Sequence, residues 1–121
     1  MQTLTISKPD DFHLHLRDGA AMASIVNYSA AQFSRAIVMP NLKPAITTVD
    51  MALSYRERIL GSVDEKYNFE PLMTLYLTDN MLPDVINIAA QTESIKALKY
   101  YPAGATTNSD CGVTDIKKIY S

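Results

Sequence analysis

Two histidines and an arginine alternate with apolar residues in the stretch DDFHLHLRDG, residues 10–19. Successive side chains of a β-strand point to opposite faces, so His13, His15 and Arg17 would share one face. Two histidines spaced in this way can bring their imidazole nitrogens onto one metal ion at about 2.0–2.1 Å. An amphipathic edge strand with ordinary histidines is the alternative, and this stretch alone leaves both interpretations open.

The other face of the same run is apolar. Phe12, Leu14 and Leu16 lie on it, and we expect all three to pack against helices. The polar face would then point toward a sheet crevice or the interior of a barrel. His13 and His15 are the two histidines of the chain, so any imidazole chemistry depends on this run.

Met39, Pro40 and Asn41 close a second apolar run. Proline cannot continue a central sheet ladder, so the strand should end here. Asn41 is therefore predicted at the carboxyl edge of the sheet, where binding groups collect in α/β proteins. Its amide could bind a carboxylate or amide ligand, or Asn41 could be an ordinary turn residue.

Lys99 lies within the run ALKYY. A lysine in a buried parallel strand is costly as an unpaired ammonium, so Lys99 should be exposed, paired or chemically altered. Carbamylation by carbon dioxide would convert it into a carboxylate that can bridge two metal ions. An ordinary lysine that reaches solvent at the strand end is the alternative.

The residues after Pro102 are rich in Gly, Ala, Thr, Asn and Ser. They predict either a loop that closes over a ligand or a plain surface loop. Asp79 is expected to cap the helix that begins near Pro83 or to form the turn before it. Cys111 has no further histidine to activate it, so we expect a loop thiol and not a nucleophile.

Strand-like and helix-like runs alternate along the chain. Strands are predicted at 12–17, 35–41, 70–78 and 97–101, and helices at 19–34, 49–63 and 83–92, with another helix beginning near Thr114. Either Thr47 or Thr48 is a plausible N-cap for the second helix. This order predicts an α/β protein with a parallel sheet and a single domain over residues 1–121.

The composition is that of a globular protein, with 47% hydrophobic and 20% charged residues. The net charge is −2 and no basic run is present, so we expect no nucleic-acid partner. No stretch approaches the roughly 18 apolar residues of a membrane span. One cysteine cannot form an intrachain disulfide, and we expect a cytoplasmic protein.

Four stretches together resemble one family: KPDDFHLHLRDG, RAIVMPNLKPAITT, PLMTLYLTD and KALKYYPAGATTNSDCGVT. They are similar to dihydroorotases of the shorter, stand-alone type, which belong to the amidohydrolase superfamily. The resemblance covers nearly the whole chain. It implies the N-terminal half of a (β/α)8 barrel with a zinc centre at the carboxyl ends of its strands. The implied reaction is the reversible cyclisation of N-carbamoyl-L-aspartate to L-dihydroorotate in pyrimidine biosynthesis, and the implied intact enzyme is a homodimer.

The resemblance also implies roles for individual residues, some toward metal and some toward substrate. The metal ligands would be His13, His15 and the carbamylated Lys99, which would bridge two Zn²⁺ ions. Arg17 and Asn41 would hold the substrate carboxylate, and Thr106 and Thr107 would belong to the loop that closes over the substrate.

The chain also departs from the family pattern. A complete barrel needs about 250 residues, and the family takes two further histidines and a catalytic aspartate from later strands. No histidine follows Tyr101, so we expect this chain by itself to be inactive. Ala45 stands where the second proline of a Pro-Pro pair is expected, a difference outside the site.

Two other interpretations remain. One is a non-catalytic half-barrel module that associates with another chain. The other is a small metal-binding α/β domain outside the family, but that interpretation leaves the Met-Pro-Asn stretch unexplained.

Overall fold

Strands and helices alternate through residues 1–119, the part of the chain that the computed structural model describes. The elements, in chain order, are β1 (Asp10–Leu14), α1 (Gly19–Gln32), β2 (Arg35–Val38), α2 (Val49–Ser62), β3 (Glu70–Tyr76), α3 (Pro83–Gln91), β4 (Ile95–Lys99) and a short 3-10 helix (Ile116–Ile119). The predicted order of elements is confirmed. Tyr120 and Ser121, at the end of the last predicted helix, lie outside the described residues.

The strands form one parallel sheet in the order β1-β2-β3-β4, so each βα unit places its strand beside the previous one. The architecture is an α/β half-barrel. Because all strands run in the same direction, the residues that follow their carboxyl ends meet at one edge of the sheet. Within residues 1–119, none of the helices combines the length and the hydropathy needed to cross a bilayer.

Each helix begins at a residue suited to its first turn. The Asp18 carboxylate accepts a hydrogen bond from the Gly19 amide at the start of α1, and Thr48, not Thr47, accepts from the Met51 amide at the start of α2. Helix α3 has Pro83 in its first turn and no side-chain cap. Proline suits that position because the first amides of a helix have no intrahelical acceptor.

The hydrophobic core lies between one face of the sheet and the helices that cover it. Ala36 and Val38 of β2 and Met73 and Leu75 of β3 point toward the helices and are almost fully buried. The remaining core residues come from the helices and connecting segments, and include Leu16, Met22, Val26, Ala30, Ala52, Tyr55 and Ile59. This single apolar layer holds the strands in register and therefore positions everything at their carboxyl ends.

The predicted apolar face of β1 is wrong at one residue. Leu14 packs on the core and Leu16 is buried in it, but Phe12 is 75% exposed and lies on the opposite face of the sheet. The cause is a β-bulge, since Asp11 pairs with Ala36 and Leu14 with Val38, so that three steps along β1 match two along β2. The extra residue reverses the alternation on one side of the bulge.

The predicted strand ends are also too long on the carboxyl side. β1 ends at Leu14, β2 at Val38 and β3 at Tyr76, so the polar residues that follow them leave the ladder and turn over the sheet edge. β4 spans Ile95–Lys99, two residues earlier than predicted at both ends, which makes Lys99 its last residue. The candidate site is thus built on segments just beyond the strands.

The core predicts a clear contrast between two leucines. Replacing the fully buried Leu75 by alanine (Leu75→Ala) removes packed methyl groups and leaves a cavity, and should lower the free energy of unfolding by roughly 2–5 kcal/mol. The matched control is Leu53→Ala on α2, where the side chain is 38% exposed and the loss should be well under half as large. Urea denaturation of both variants measures the difference, and equal losses would contradict this description of the core.

Candidate active site

His13 and His15 come together at the carboxyl end of β1. Their Nε2 atoms are 3.1 Å apart and their rings are tilted by 48°. Two ligands of one tetrahedral zinc ion at about 2.0–2.1 Å would stand roughly 3.3 Å apart, so the pair has the separation that a shared metal ion requires. Burial, followed by the charges of Lys99, His13 and Arg17, lowers the pKa of His15 and so favours the neutral imidazole that a metal needs.

Lys99 lies at the end of β4 on the face of the sheet away from the helices. Its Nζ atom donates a hydrogen bond to Oδ1 of Asn41 at 2.8 Å and lies 5.4 Å from the centre of the Tyr101 ring. Partial burial is the first cause that lowers the pKa of this ammonium, and the neighbouring Arg17 is the second. Lys99 is therefore paired and not simply extended into solvent.

Asn41 joins three segments that meet above the sheet. Its side chain is 2% exposed: Oδ1 accepts from Lys99, and Nδ2 donates to the carbonyl oxygen of Thr107 at 3.2 Å. Its own carbonyl oxygen accepts from Nδ2 of Asn108 at 3.1 Å and from Nη1 of Arg17 at 3.5 Å. Much of the Asn41 amide is thus occupied within the protein, which leaves one N–H for a ligand.

Arg17 sits in a left-handed backbone conformation, with φ +61°. Such a conformation costs a non-glycine residue about 1–3 kcal/mol and persists only where the surroundings hold it. The hydroxyl of Tyr55 on α2 donates a hydrogen bond to the Arg17 carbonyl oxygen at 2.5 Å. One helical turn later, Arg58 binds the Asp18 carboxylate through Nε at 3.0 Å and Nη2 at 2.8 Å.

The loop after β4 folds back toward the sheet edge. Pro102 pairs with Val113 in an isolated parallel bridge, which closes the loop at its base. A Cβ atom at Gly112 would lie 2.5 Å from the Tyr101 carbonyl oxygen, so only glycine fits this close approach. The buried hydroxyl of Ser109 donates to the Thr106 carbonyl oxygen at 2.6 Å and accepts from the Thr106 amide.

The side chains of Thr106 and Thr107 are exposed, so the structure brings the backbone of Thr107, and not its hydroxyl, to Asn41. The residues predicted to bind metal or substrate all lie at the carboxyl edge of the sheet or on the loop above it. They are His13, His15, Arg17, Asn41, Lys99, Thr106 and Thr107.

Phe12 was not predicted to belong to the site. It nevertheless lines a cavity of about 340 Å³ beside His13, Ile37 and Lys99.

A larger cavity of about 600 Å³ opens beside Arg17 and Asn41, between the turn after β1 and helix α2.

Among residues 1–119, no three side chains of the His, Cys, Asp and Glu types lie close enough together to hold a metal ion. The two imidazoles therefore depend on a further donor for a full zinc shell. A carbamate on Lys99 would supply oxygen ligands on the same side of the sheet.

Sequence reasoning missed Tyr55, Arg58, Asn108 and Ser109. Tyr55 and Arg58 stand three residues apart on α2, a spacing that predicts one helix face, but no local signal shows that this face meets the turn after β1. Of the two alternatives for Asp79, the turn is confirmed and the helix cap is wrong. Asp79 lies in the turn before α3, which the Met81 amide closes by donating to the Thr78 carbonyl oxygen. Its carboxylate does not cap α3 but accepts from the Thr114 amide at 2.9 Å and pairs with Lys118, far along the chain.

Comparison with known proteins finds that this chain is similar to dihydroorotases. No family profile matches the chain. A dihydroorotase from Delftia acidovorans is 63% identical over 118 residues, which cover 98% of this chain and 34% of that protein. The similarity is to the N-terminal portion of these dihydroorotases. It spans about a third of the length of these dihydroorotases.

Two solved dihydroorotases have the same fold over this region. The crystal structure of the Saccharomyces cerevisiae dihydroorotase in complex with 5-fluoroorotic acid superimposes with a TM-score of 0.81 and 38% identity, over 93% of this chain and 31% of that one. The Campylobacter jejuni dihydroorotase gives 0.78 and 37%, over 93% of this chain and 33% of that one. The four βα units therefore correspond to part of a dihydroorotase TIM barrel.

The contacts of Asp79 predict a pH dependence. Hydrogen bonds from Thr114, then from Lys118, hold the pKa of this carboxyl well below its usual range. The carboxylate therefore stabilises the fold above its unfolded pKa of about 3.9, and this contribution is lost as the pH falls through the lower folded value. The gap in urea midpoint between the parent chain and Asp79→Asn should be constant near neutrality and shrink below pH about 4.

The matched control is Asp110→Asn, since Asp110 is exposed on the loop after β4 that also carries Thr114. This variant should follow the parent chain across the whole pH range. A gap for Asp79→Asn that stays unchanged into strong acid would contradict the ion-pair and hydrogen-bond assignment.

Proposed function

We propose that this chain forms the first half of the active site of a zinc-dependent dihydroorotase. The enzyme would interconvert N-carbamoyl-L-aspartate and L-dihydroorotate in pyrimidine biosynthesis. One observation carries the proposal: His13, His15, Lys99, Arg17 and Asn41 converge at one sheet edge, in a chain 63% identical to a dihydroorotase. The Saccharomyces cerevisiae relative in complex with 5-fluoroorotic acid supports a ring carboxylate as the ligand class.

The metal would be held by the imidazoles of His13 and His15 together with a carbamate on Lys99. Zinc bound there would polarise the amide carbonyl of the substrate and activate water for attack on the ring. The lowered pKa of Lys99 favours the neutral amine, whose nitrogen can attack carbon dioxide and release its proton to solvent. Asn41 orients this amine through its 2.8 Å hydrogen bond.

Arg17 would bind the substrate carboxylate. Both the substrate and the product are anions, and Arg17 lines a cavity whose polar lining also includes Asn41, Asn108 and Lys43. The carboxylates of Asp18 and Asp50 line the same cavity, and that of Asp18 is already paired with Arg58. A guanidinium binds a carboxylate through two parallel hydrogen bonds, which fixes the orientation of the substrate as well as its position. The loop that carries Thr106 and Thr107 would cover the bound substrate and exclude water.

The general base is not assigned to a residue of this chain. We expect a catalytic aspartate and further metal ligands from another part of the barrel. Residues 1–121 would thus be one domain segment of the enzyme and would not turn over alone. We further propose that the intact enzyme is a cytoplasmic homodimer. The lone, exposed thiol of Cys111 is compatible with a reducing compartment.

The incomplete ligand set also favours a second candidate, a non-catalytic half-barrel that associates with another chain. Strands β1 and β4 are the two edges of the sheet, and an unpaired strand edge is a template for association. Native mass spectrometry of the purified protein distinguishes the two candidates. A mass near 13.4 kDa with no turnover in any assembly would favour the second candidate.

A chimera tests the enzymatic proposal. This chain, fused to the remaining two thirds of the Delftia acidovorans dihydroorotase, should cyclise N-carbamoyl-L-aspartate, because the missing ligands and base would then be present. The 121-residue chain alone should show no turnover under the same conditions. Release of dihydroorotate, followed by its ultraviolet absorbance, measures both. Turnover by the chain alone, or a folded and zinc-loaded chimera without turnover, would contradict the proposal.

Zinc binding by the chain itself provides a second test. The parent should bind zinc in titration calorimetry, and bicarbonate should tighten binding because it supplies the carbamate. His13→Ala should weaken binding by at least about 10–100-fold, because loss of a direct ligand should cost no less than loss of an outer-shell partner of a ligand. The matched control is Cys111→Ser, which removes an exposed thiol on the loop and should leave the affinity unchanged. Loss of binding in Cys111→Ser would place the metal elsewhere.

A further inference from the structure

Helix α2 contacts the turn that presents Arg17 through one polar face. Tyr55 is 1% exposed, and its hydroxyl donates to the Arg17 carbonyl oxygen at 2.5 Å. Arg58, on the same face, binds the Asp18 carboxylate and lies over the Tyr55 ring at 5.4 Å from its centre. Two adjacent residues of the turn are thus held by one face of a helix that carries no predicted ligand.

The Tyr55 hydrogen bond restrains the strained backbone of Arg17. Arg17 has a left-handed backbone, with φ +61°, which a side-chain-bearing residue keeps only under constraint. A hydrogen bond to its carbonyl oxygen fixes the peptide plane that follows Arg17 and thereby limits the rotation of that backbone. Because the side chain leaves the same Cα atom, its direction toward Asn41 depends on this backbone geometry.

The Tyr55 hydroxyl is suited to be a permanent donor. Burial raises its pKa well above the usual range, and the nearby Asp18 carboxylate acts in the same direction. The hydroxyl therefore stays protonated at neutral pH and can act as a donor there. Among the described residues its hydrogen bond goes to Arg17 and not to His13, His15 or Lys99, so we assign it no direct role toward a metal ion.

We propose that Tyr55 is a positioning residue for substrate binding: its hydroxyl holds the left-handed turn that aims the Arg17 guanidinium at the substrate carboxylate. This inference rests on the proposed function, because it assumes that Arg17 binds the carboxylate. It adds a residue outside the mouth of the barrel to the substrate site. It also assigns the polar face of α2 a role in affinity for the anionic substrate rather than in the chemical step.

The test uses the chimera with the Delftia acidovorans enzyme. Tyr55→Phe keeps the ring, and with it the packing and the contact with Arg58, and removes only the hydrogen bond. KM for N-carbamoyl-L-aspartate should rise about 5–20-fold, the range expected for one hydrogen bond that acts on a charged ligand contact. kcat and zinc content should stay within about twofold of the parent, because the chemical step does not use this hydroxyl.

A double-mutant cycle separates positioning from a general loss of stability. In an Arg17→Gln background, Tyr55→Phe should add less than about a twofold further rise in KM, because the group that it positions is gone. The matched control is Tyr67→Phe, since the Tyr67 ring also packs against the core but lies away from Arg17. Tyr67→Phe should leave KM unchanged in both backgrounds.

The outcomes that would contradict the inference can be distinguished from those that would contradict the proposed function. An active chimera in which Tyr55→Phe keeps the parental KM overturns the inference and leaves the proposed function standing. Equal rises of KM in the parent and Arg17→Gln backgrounds, or a parallel loss of kcat and zinc, would show a purely structural role and would also overturn it. A folded, zinc-loaded parent chimera without turnover refutes the proposed function itself, and the inference with it.

Discussion

The buried amide of Asn41 connects the segments that meet at the carboxyl edge of the sheet. It ties Lys99 at the end of β4 to the end of β2 and holds the following loop through the Thr107 carbonyl oxygen. A buried polar group without a partner costs about 1–3 kcal/mol, so a shift in any of the three segments would leave a donor or acceptor unpaired. This hydrogen-bonded centre couples the loop to the sheet.

The same region concentrates positive charge. Lys99, Arg17 and the histidine pair face each other at one sheet edge, and their mutual repulsion contributes to the lowered pKa values of His15 and Lys99. Repulsion of this kind is relieved by an anion, whether a carbamate formed on the lysine or the carboxylate of a substrate. The electrostatics and the hydrogen bonds thus favour the same class of ligand, although the chain as a whole is slightly acidic.

The order of elements could be predicted from sequence because it depends on local signals. Apolar runs, Pro40 and the helix caps mark where each βα unit begins and ends, and the structure has the same order of strands and helices. Phe12 shows the limit of this reasoning. Alternation along β1 assumes a regular ladder, but the bulge between Asp11 and Leu14 depends on the pairing with β2 and reverses the face on which Phe12 lies.

The sequence by itself determined the residue types and the strand order, and so the edge at which His13, His15, Arg17, Asn41 and Lys99 had to gather. Parallel strands joined by helices can present their ends in only one direction, so this part follows from local pattern alone. Only the tertiary structure decided which groups satisfy one another: Tyr55 with the Arg17 carbonyl oxygen, and Asp79 with Thr114. These pairs are 38 and 35 residues apart in the chain. No local signal encodes them, because they arise from how a helix or loop packs against a distant turn.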